Sequence, residues 1–179
     1  MRPTPRDAEF EEFVRSNRSR LLGTATVLTA GDHHLAEDLV QGTLVRMYLA
    51  WGRATKRGGA AAYARRVLVN SFIDHRRRPS VSRETATAEL PDHAGGPTTA
   101  ADEPVDAELL AALSALPARM RAAVVLRHVV DLSVEDTAEL LGCSEGTVKS
   151  QTARGLAKLR EVLPQRASVP PIPHEGDPS

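Results

Sequence analysis

The sequence predicts an all-α fold: two small helical domains joined by a flexible linker, the C-terminal one containing a helix-turn-helix. Three observations carry this expectation. Aromatic residues make up only 3% of the chain, and the 41% that is apolar is mostly Ala, Leu and Val, a mixture that suits helices better than strands. Apolar positions recur at three- and four-residue spacing in both halves. Between Pro79 and Pro104 that period lapses into Ser, Thr, Ala, Pro and Gly, the composition of a tether. A length of 179 residues allows one domain or two small ones.

Phe10, Phe13, Val14, Leu21 and Leu22 fall at helical spacing and predict one amphipathic helix from Asp7 to about Thr29, ended by Gly31. A second stripe, Leu35, Leu39, Val40, Leu44, Met47, Tyr48 and Trp51, defines a helix from about His33 to Gly52, opened by His33 and His34. The loop Arg53 to Gly59 follows; it is basic and glycine-rich and includes Lys56 and Arg57. Such a backbone can approach phosphate closely. A third helix, Ala60 to Arg78, turns Tyr63, Val67, Leu68, Phe72 and Ile73 inward and its arginines outward, until Pro79 stops it. These elements make a first domain over 7–78, followed by the linker over 79–104.

The second domain, 105–163, opens with Leu109, Leu110, Leu113 and Leu116 on one helix and continues after Pro117 through Met120, Val124, Leu126 and Val130. Ser133 then caps a helix that runs to Leu141, with Asp136 three residues on as a weak capping box. Gly142 permits a tight turn, with Cys143 in it as a small buried side chain. Ser144 caps the next helix, whose buried side carries Val148, Thr152, Leu156 and Leu159. The tail 164–179, with Pro170, Pro171, Pro173 and Pro178 among polar residues, is expected to be disordered.

Composition also excludes whole classes. One cysteine, Cys143, cannot make an internal disulfide framework, and the six histidines have no metal-ligand spacing. No metal or cofactor is expected. The cytoplasm is the natural compartment. Residues 1–7 lack a signal core, and no apolar run is long enough to span a membrane. No phosphate-cradling glycine motif and no nucleophile paired with a base is visible, so the chain is not expected to be an enzyme. Formal net charge is zero, which by itself disfavours a nucleic-acid binder. The distribution reverses that, because Arg65, Arg66, Arg76, Arg77 and Arg78 crowd one segment while acidic residues collect near 7–12 and 84–108.

The stretch from Asp131 to Arg160 has helix-turn-helix spacing. Its last helix presents Thr147, Lys149, Ser150, Gln151, Arg154 and Lys158 opposite the apolar side, a set able to meet phosphates and base edges in a major groove. A plain helical hairpin with a solvated polar face is the competing reading. In the third helix, Asn70, Asp74 and Arg77 share a face with Arg66, and that face can grip DNA or merely be a basic solvated surface. Tyr63 beside the loop is either a stacking plane for a base or, by its spacing, core.

The run SVEDTAELLGCSEGTVKSQTARGLAKLR resembles both sigma factors and response regulators with a C-terminal reader domain. The first half separates them. LAEDLVQGTLVRMYLAW resembles the polymerase-clamp-binding helix of sigma factors, and AYARRVLVNSFIDHRRR is similar to their promoter-melting helix. With LPARMRAAVVLRHVVDLS, these matches span nearly the whole folded chain in the order of an extracytoplasmic-function sigma factor of the sigma-70 family, of the actinobacterial sigma-E-like type. The resemblance implies an alternative sigma factor that directs RNA polymerase core, through its β and β′ subunits, to specific promoters.

Carried over to this chain, the resemblance places Glu37, Asp38 and Gln41 against the β′ clamp helices, with Gly42 where an acidic residue is usual. It assigns Lys56, Arg57, Arg66, Asn70, Asp74 and Arg77 to the minus-ten element. The loop 53–61 matches the one that captures a flipped base, yet lacks the aromatic residue and the Arg-Gly-Asp-like run of many relatives. Glu145, Thr147, Lys149, Ser150, Gln151 and Arg154 correspond to positions that engage the minus-thirty-five element; Gln151 and Ala153 replace residues that are commonly basic and aromatic. Acidic linker residues such as Glu84, Glu89 and Asp92 would mimic a nucleic-acid backbone in the polymerase channels. The family also implies a possible anti-sigma partner at the apolar seams between the domains. Two rival readings are a helix-turn-helix regulator that never binds core polymerase and a helical adaptor that binds no DNA. The N-terminal unit has no βα alternation, which argues against a receiver domain.

Overall fold

Helix α1 (Pro5–Thr29) starts two residues earlier than Asp7 because Thr4 caps it. The Thr4 hydroxyl accepts the Asp7 N–H at 3.2 Å, and the Asp7 carboxylate accepts the Thr4 N–H at 3.0 Å. Pro5 occupies the first turn, where a missing N–H costs nothing. The helix closes through Ala30 in the left-handed region (φ 57°) and Gly31 (φ 88°), whose N–H donates to the Thr26 carbonyl at 2.8 Å.

These coordinates belong to a computed structural model that describes residues 4–55, 59–77 and 106–163, and the described residues form seven helices. Among them there is no strand. The linker expected over 79–104, the tail over 164–179 and the loop residues Lys56 and Arg57 lie outside the described residues.

Helix α2 (His33–Ala54) is capped by the Asp32 carboxylate, which accepts the Leu35 N–H at 3.0 Å. It runs through Gly52, where the sequence suggested its end, because Trp51 and Ala54 are both buried and hold the last turn against the core. Phe10 and Phe13 of α1 meet the Trp51 ring edge to face at 5.2 and 5.3 Å, a favoured aromatic geometry. Tyr48, expected inward, is 40% exposed; its hydroxyl donates to Asp7 Oδ1 at 2.8 Å. Helix α3 (Ala60–Arg77) buries Ala64, Leu68, Val69, Phe72 and Ile73 against α1 and α2. Tyr63 and Val67 are only half-buried.

Helices α4 (Ala107–Ser114), α5 (Ala118–His128), α6 (Val134–Leu141) and α7 (Glu145–Val162) make the second half. Helix α4 ends at Ser114 with Ala115 as its C-cap, and Pro117 is the N-cap of α5. Every residue from Arg121 to Leu126 is buried, so the middle of α5 is enclosed on all sides: α7 and α6 cover it from its own half, α1 and α3 from the other. Asp131 (φ 57°) turns the chain, and the Arg127 guanidinium steadies that turn by donating to the Leu132 carbonyl.

The two halves therefore touch. One buried apolar cluster includes Leu28 and Phe72 from the first and Leu116 and Val125 from the second. Where they meet, Arg121 of α5 donates to the Leu28 carbonyl at 2.9 Å.

Candidate nucleic-acid interface

The α6–α7 pair is built by local capping. Ser133 Oγ accepts the Asp136 N–H at 2.9 Å and donates to the Asp136 carboxylate at 2.6 Å. Gly142 (φ 62°) ends α6, and the Cys143 N–H reaches back to the Ala138 carbonyl at 3.1 Å. Two residues later Ser144 caps α7 by accepting the Thr147 N–H at 3.2 Å. So short a turn leaves α7 little freedom relative to α6, which is what a helix inserted in a groove requires.

Gly155 sets how close α7 lies to α5. A Cβ at that position would stand 2.5 Å from Val124 Cγ2 and 3.2 Å from Met120 Cγ, so the helices approach to a distance only a bare Cα permits. Val148 and Leu159 are buried on the same side, with Thr152 and Leu156 half-buried. Away from them Glu145, Lys149, Ser150, Arg154 and Lys158 are exposed. Thr147 and Gln151 flank this surface half-buried, and the Thr147 side chain is partly spent on the cap, 2.9 Å from Ser144 Oγ. Lys149 and Glu145 pair loosely at 3.8 Å, both mostly in solvent, so the lysine stays available to a phosphate.

On α3, Arg66, Asn70 and Asp74 are all exposed and succeed one another at helical spacing along one face. Arg77 lies within the helix, with its side chain outside the described residues. Arg66 forms an ion pair with Glu139 of α6. Its neighbour Arg65 is partly buried in the groove between α3 and α6, where desolvation first and Arg20 second lower its pKa.

On α2, Glu37, Asp38 and Gln41 are exposed together. The same face continues through two residues that the sequence reading did not single out: Val45, 60% exposed, and Leu49, 74% exposed. The signal was present in the spacing, since Gln41, Val45 and Leu49 follow at intervals of four, but two apolar residues at a helix surface are unremarkable until their exposure is measured. The second half carries an apolar groove lined by Leu109, Leu113, Val129, Leu156 and Leu163. No group of His, Cys, Asp and Glu side chains among the described residues could hold a metal ion, and none of the described helices is long and apolar enough to cross a membrane.

Residues 13–80 match the family described as Sigma-70 region 2, and residues 106–159 match Sigma-70, region 4. The RNA polymerase sigma-E factor of Streptomyces avermitilis is 41% identical over 159 residues, which cover 88% of this chain and 87% of that protein. The ECF RNA polymerase sigma factor SigE of Mycolicibacterium smegmatis is 34% identical over 89% of this chain and 63% of its own length. Among solved structures, the sigma factor RpoE of Bartonella quintana, crystallised with the anti-sigma factor NepR, is 26% identical with a TM-score of 0.68, covering 86% of this chain and 96% of that one. CnrH, in complex with the cytosolic domain of CnrY, shares the fold at 22% identity and a TM-score of 0.58, over 84% of both chains.

Proposed function

The chain belongs to the extracytoplasmic-function group of the sigma-70 family and is an alternative sigma factor that directs RNA polymerase core to promoters; we propose that three of its helical faces divide that work. It is not an enzyme, and the chemistry of initiation is the polymerase's. The α7 face, through Glu145, Thr147, Lys149, Ser150, Gln151 and Arg154, enters the major groove at the minus-thirty-five element. Cationic side chains there contact phosphates, while Ser150 and Gln151 address base edges. The α3 face and the loop before it, through Lys56, Arg57, Arg66, Asn70, Asp74 and Arg77, engage the minus-ten element and its separated strand.

Docking on polymerase falls to α2. Glu37, Asp38 and Gln41 supply charge and hydrogen bonding toward the β′ subunit, and Val45 and Leu49 supply exposed apolar area beside them, the pairing of polar and apolar surface expected of an interface. The apolar groove of the second half serves the β subunit. An anti-sigma protein is a further partner, as for the similar RpoE of Bartonella quintana, and the compartment is the cytoplasm.

The observation that carries this reading is the exposure of two polar faces, on α3 and α7, in separate halves of one chain. Duplex binding and strand capture require two such grips. The experiment is run-off transcription on fragmented genomic DNA with purified core enzyme, preceded by a pull-down of core. Retention of core and discrete transcripts that vanish with Lys149→Ala/Arg154→Ala support the reading. A chain that binds an intact palindrome and ignores core overturns it.

A further inference from the structure

The chain leaves α7 at the edge of the apolar groove. Leu163 is the C-cap of that helix, in extended backbone at φ −79° and ψ 121°, and its N–H donates to the Leu159 carbonyl at 2.8 Å. Pro164 follows and cannot continue the helix. The Leu163 side chain itself lines the groove, together with Leu109 and Leu113 of α4, Val125 and Val129 of α5 and Leu156 of α7. The volume is about 480 Å³, in the range that takes a small ligand or a few side chains. Val129 is 55% exposed there, so the groove leaves apolar surface in water, which marks a binding face.

The rim has one sign of charge. Among the lining residues only His128 and Arg160 are ionisable, and both are basic and exposed. The sequence after Leu163 has the complementary order. Val169 and Ile172 are its two large apolar residues, set among Pro170, Pro171 and Pro173, and the acids Glu175 and Asp177 follow. Proline fixes its own φ, so a stretch with three prolines in five residues gives up less freedom on docking than an ordinary chain. Reach is ample. The nine residues from Pro164 to Ile172 span up to roughly 30 Å when extended, whereas the α7 wall from Leu156 to Leu163 rises only about 10 Å. Groove and segment share one chain, so their effective concentration is of order millimolar, and even weak docking is populated.

We propose that residues 169–177 of this chain occupy the groove, with Val169 and Ile172 on its apolar floor and Glu175 and Asp177 toward Arg160 and His128. The consequence rests on the reading that the groove serves the β subunit: β meets a site that is already covered and displaces the segment to bind. Until core polymerase arrives, the segment keeps the apolar floor from water.

The test uses the full chain, methyl-labelled for NMR, with a nitroxide on Gly176→Cys in a Cys143→Ser background. The methyl signals of Leu109 and Val129 should broaden, and those of Val45 and Leu49 on α2 should not. Val169→Asp/Ile172→Asp should remove the broadening while leaving the methyl spectrum away from the groove unchanged, which shows the variant folded. Broadening that is absent from the parent, or that survives this variant, overturns the proposal. So does equal broadening when methyl-labelled chains without the nitroxide are mixed with unlabelled chains that carry it, since a second copy is then the occupant. Purified core polymerase should bind Val169→Asp/Ile172→Asp severalfold more tightly than the parent, and Val129→Glu severalfold more weakly. An unchanged affinity in the double variant, with Val129→Glu weakened, overturns displacement by β. An unchanged affinity in Val129→Glu overturns instead the assignment of the groove to β, and the broadening still decides what fills it, so the two readings fail separately.

Discussion

Single side chains on the two polar faces carry separable loads. Arg154 is exposed on α7; if it neutralises one phosphate, Arg154→Ala should lower the slope of log K against log salt by about 0.9 for duplex DNA. Titrating labelled promoter duplex with holoenzyme at several salt concentrations checks this, and an unchanged slope removes Arg154 from the phosphate set. At the other end of the chain, Asp7 is held below the ordinary carboxylate range, first by the Thr4 hydroxyl, then by the Tyr48 hydroxyl. Its folded pKa is depressed, so the stability it gives the start of α1 is fully present above the unfolded value of about 3.9 and lost as pH falls through the lower folded value. An NMR titration of the Asp7 carboxyl should show a midpoint below that of an unstructured aspartate, and Asp7→Asn should abolish this part of the acid response.

At the scale of elements, the close approach of α7 to α5 is the contact most sensitive to one methyl group. Gly155→Ala forces a Cβ into Val124 and should destabilise the chain by about 1–3 kcal/mol, read as a lower denaturation midpoint with an unchanged slope. The helices themselves were legible because their apolar stripes repeat, and Ser133, Gly142 and Ser144 signal the helix-turn-helix directly. Boundaries were less so. The start of α1 was missed because its cap, Thr4, lies well ahead of Phe10, the first residue of the apolar stripe. The end of α2 was missed because Gly52 reads as a stop, whereas buried Trp51 and Ala54 carry the helix past it. Thr147 and Gln151 looked like plain surface, but they stand at the edge of the polar face, half-covered by the wide packed side of α7.

Over the whole molecule, the proposed division of labour among faces predicts variants that lose one partner and keep another. Glu37→Lys/Asp38→Lys reverses charge on α2, far from α7, and should weaken capture of core polymerase at least tenfold. Core-independent duplex binding and thermal stability should be unchanged; a pull-down beside a mobility-shift assay separates these outcomes. Which residues lie between the halves was not legible. Arg121 reads in sequence as one more surface arginine, and periodicity along α5 identifies an apolar side without saying that another domain closes over the remainder. Tertiary enclosure decided that, and it turned six successive residues of α5 inward.

The α1 helix ends without a basic residue of its own in its last turn; the cation beside its Leu28 carbonyl arrives 93 positions later. On the ribosome, at roughly 5–20 residues per second, that interval lasts roughly 5–20 s. During this time the nascent N-terminal helices exist without it. A stalled chain ending before Arg121 should therefore exchange the amides of residues 26–30 faster than the released protein does.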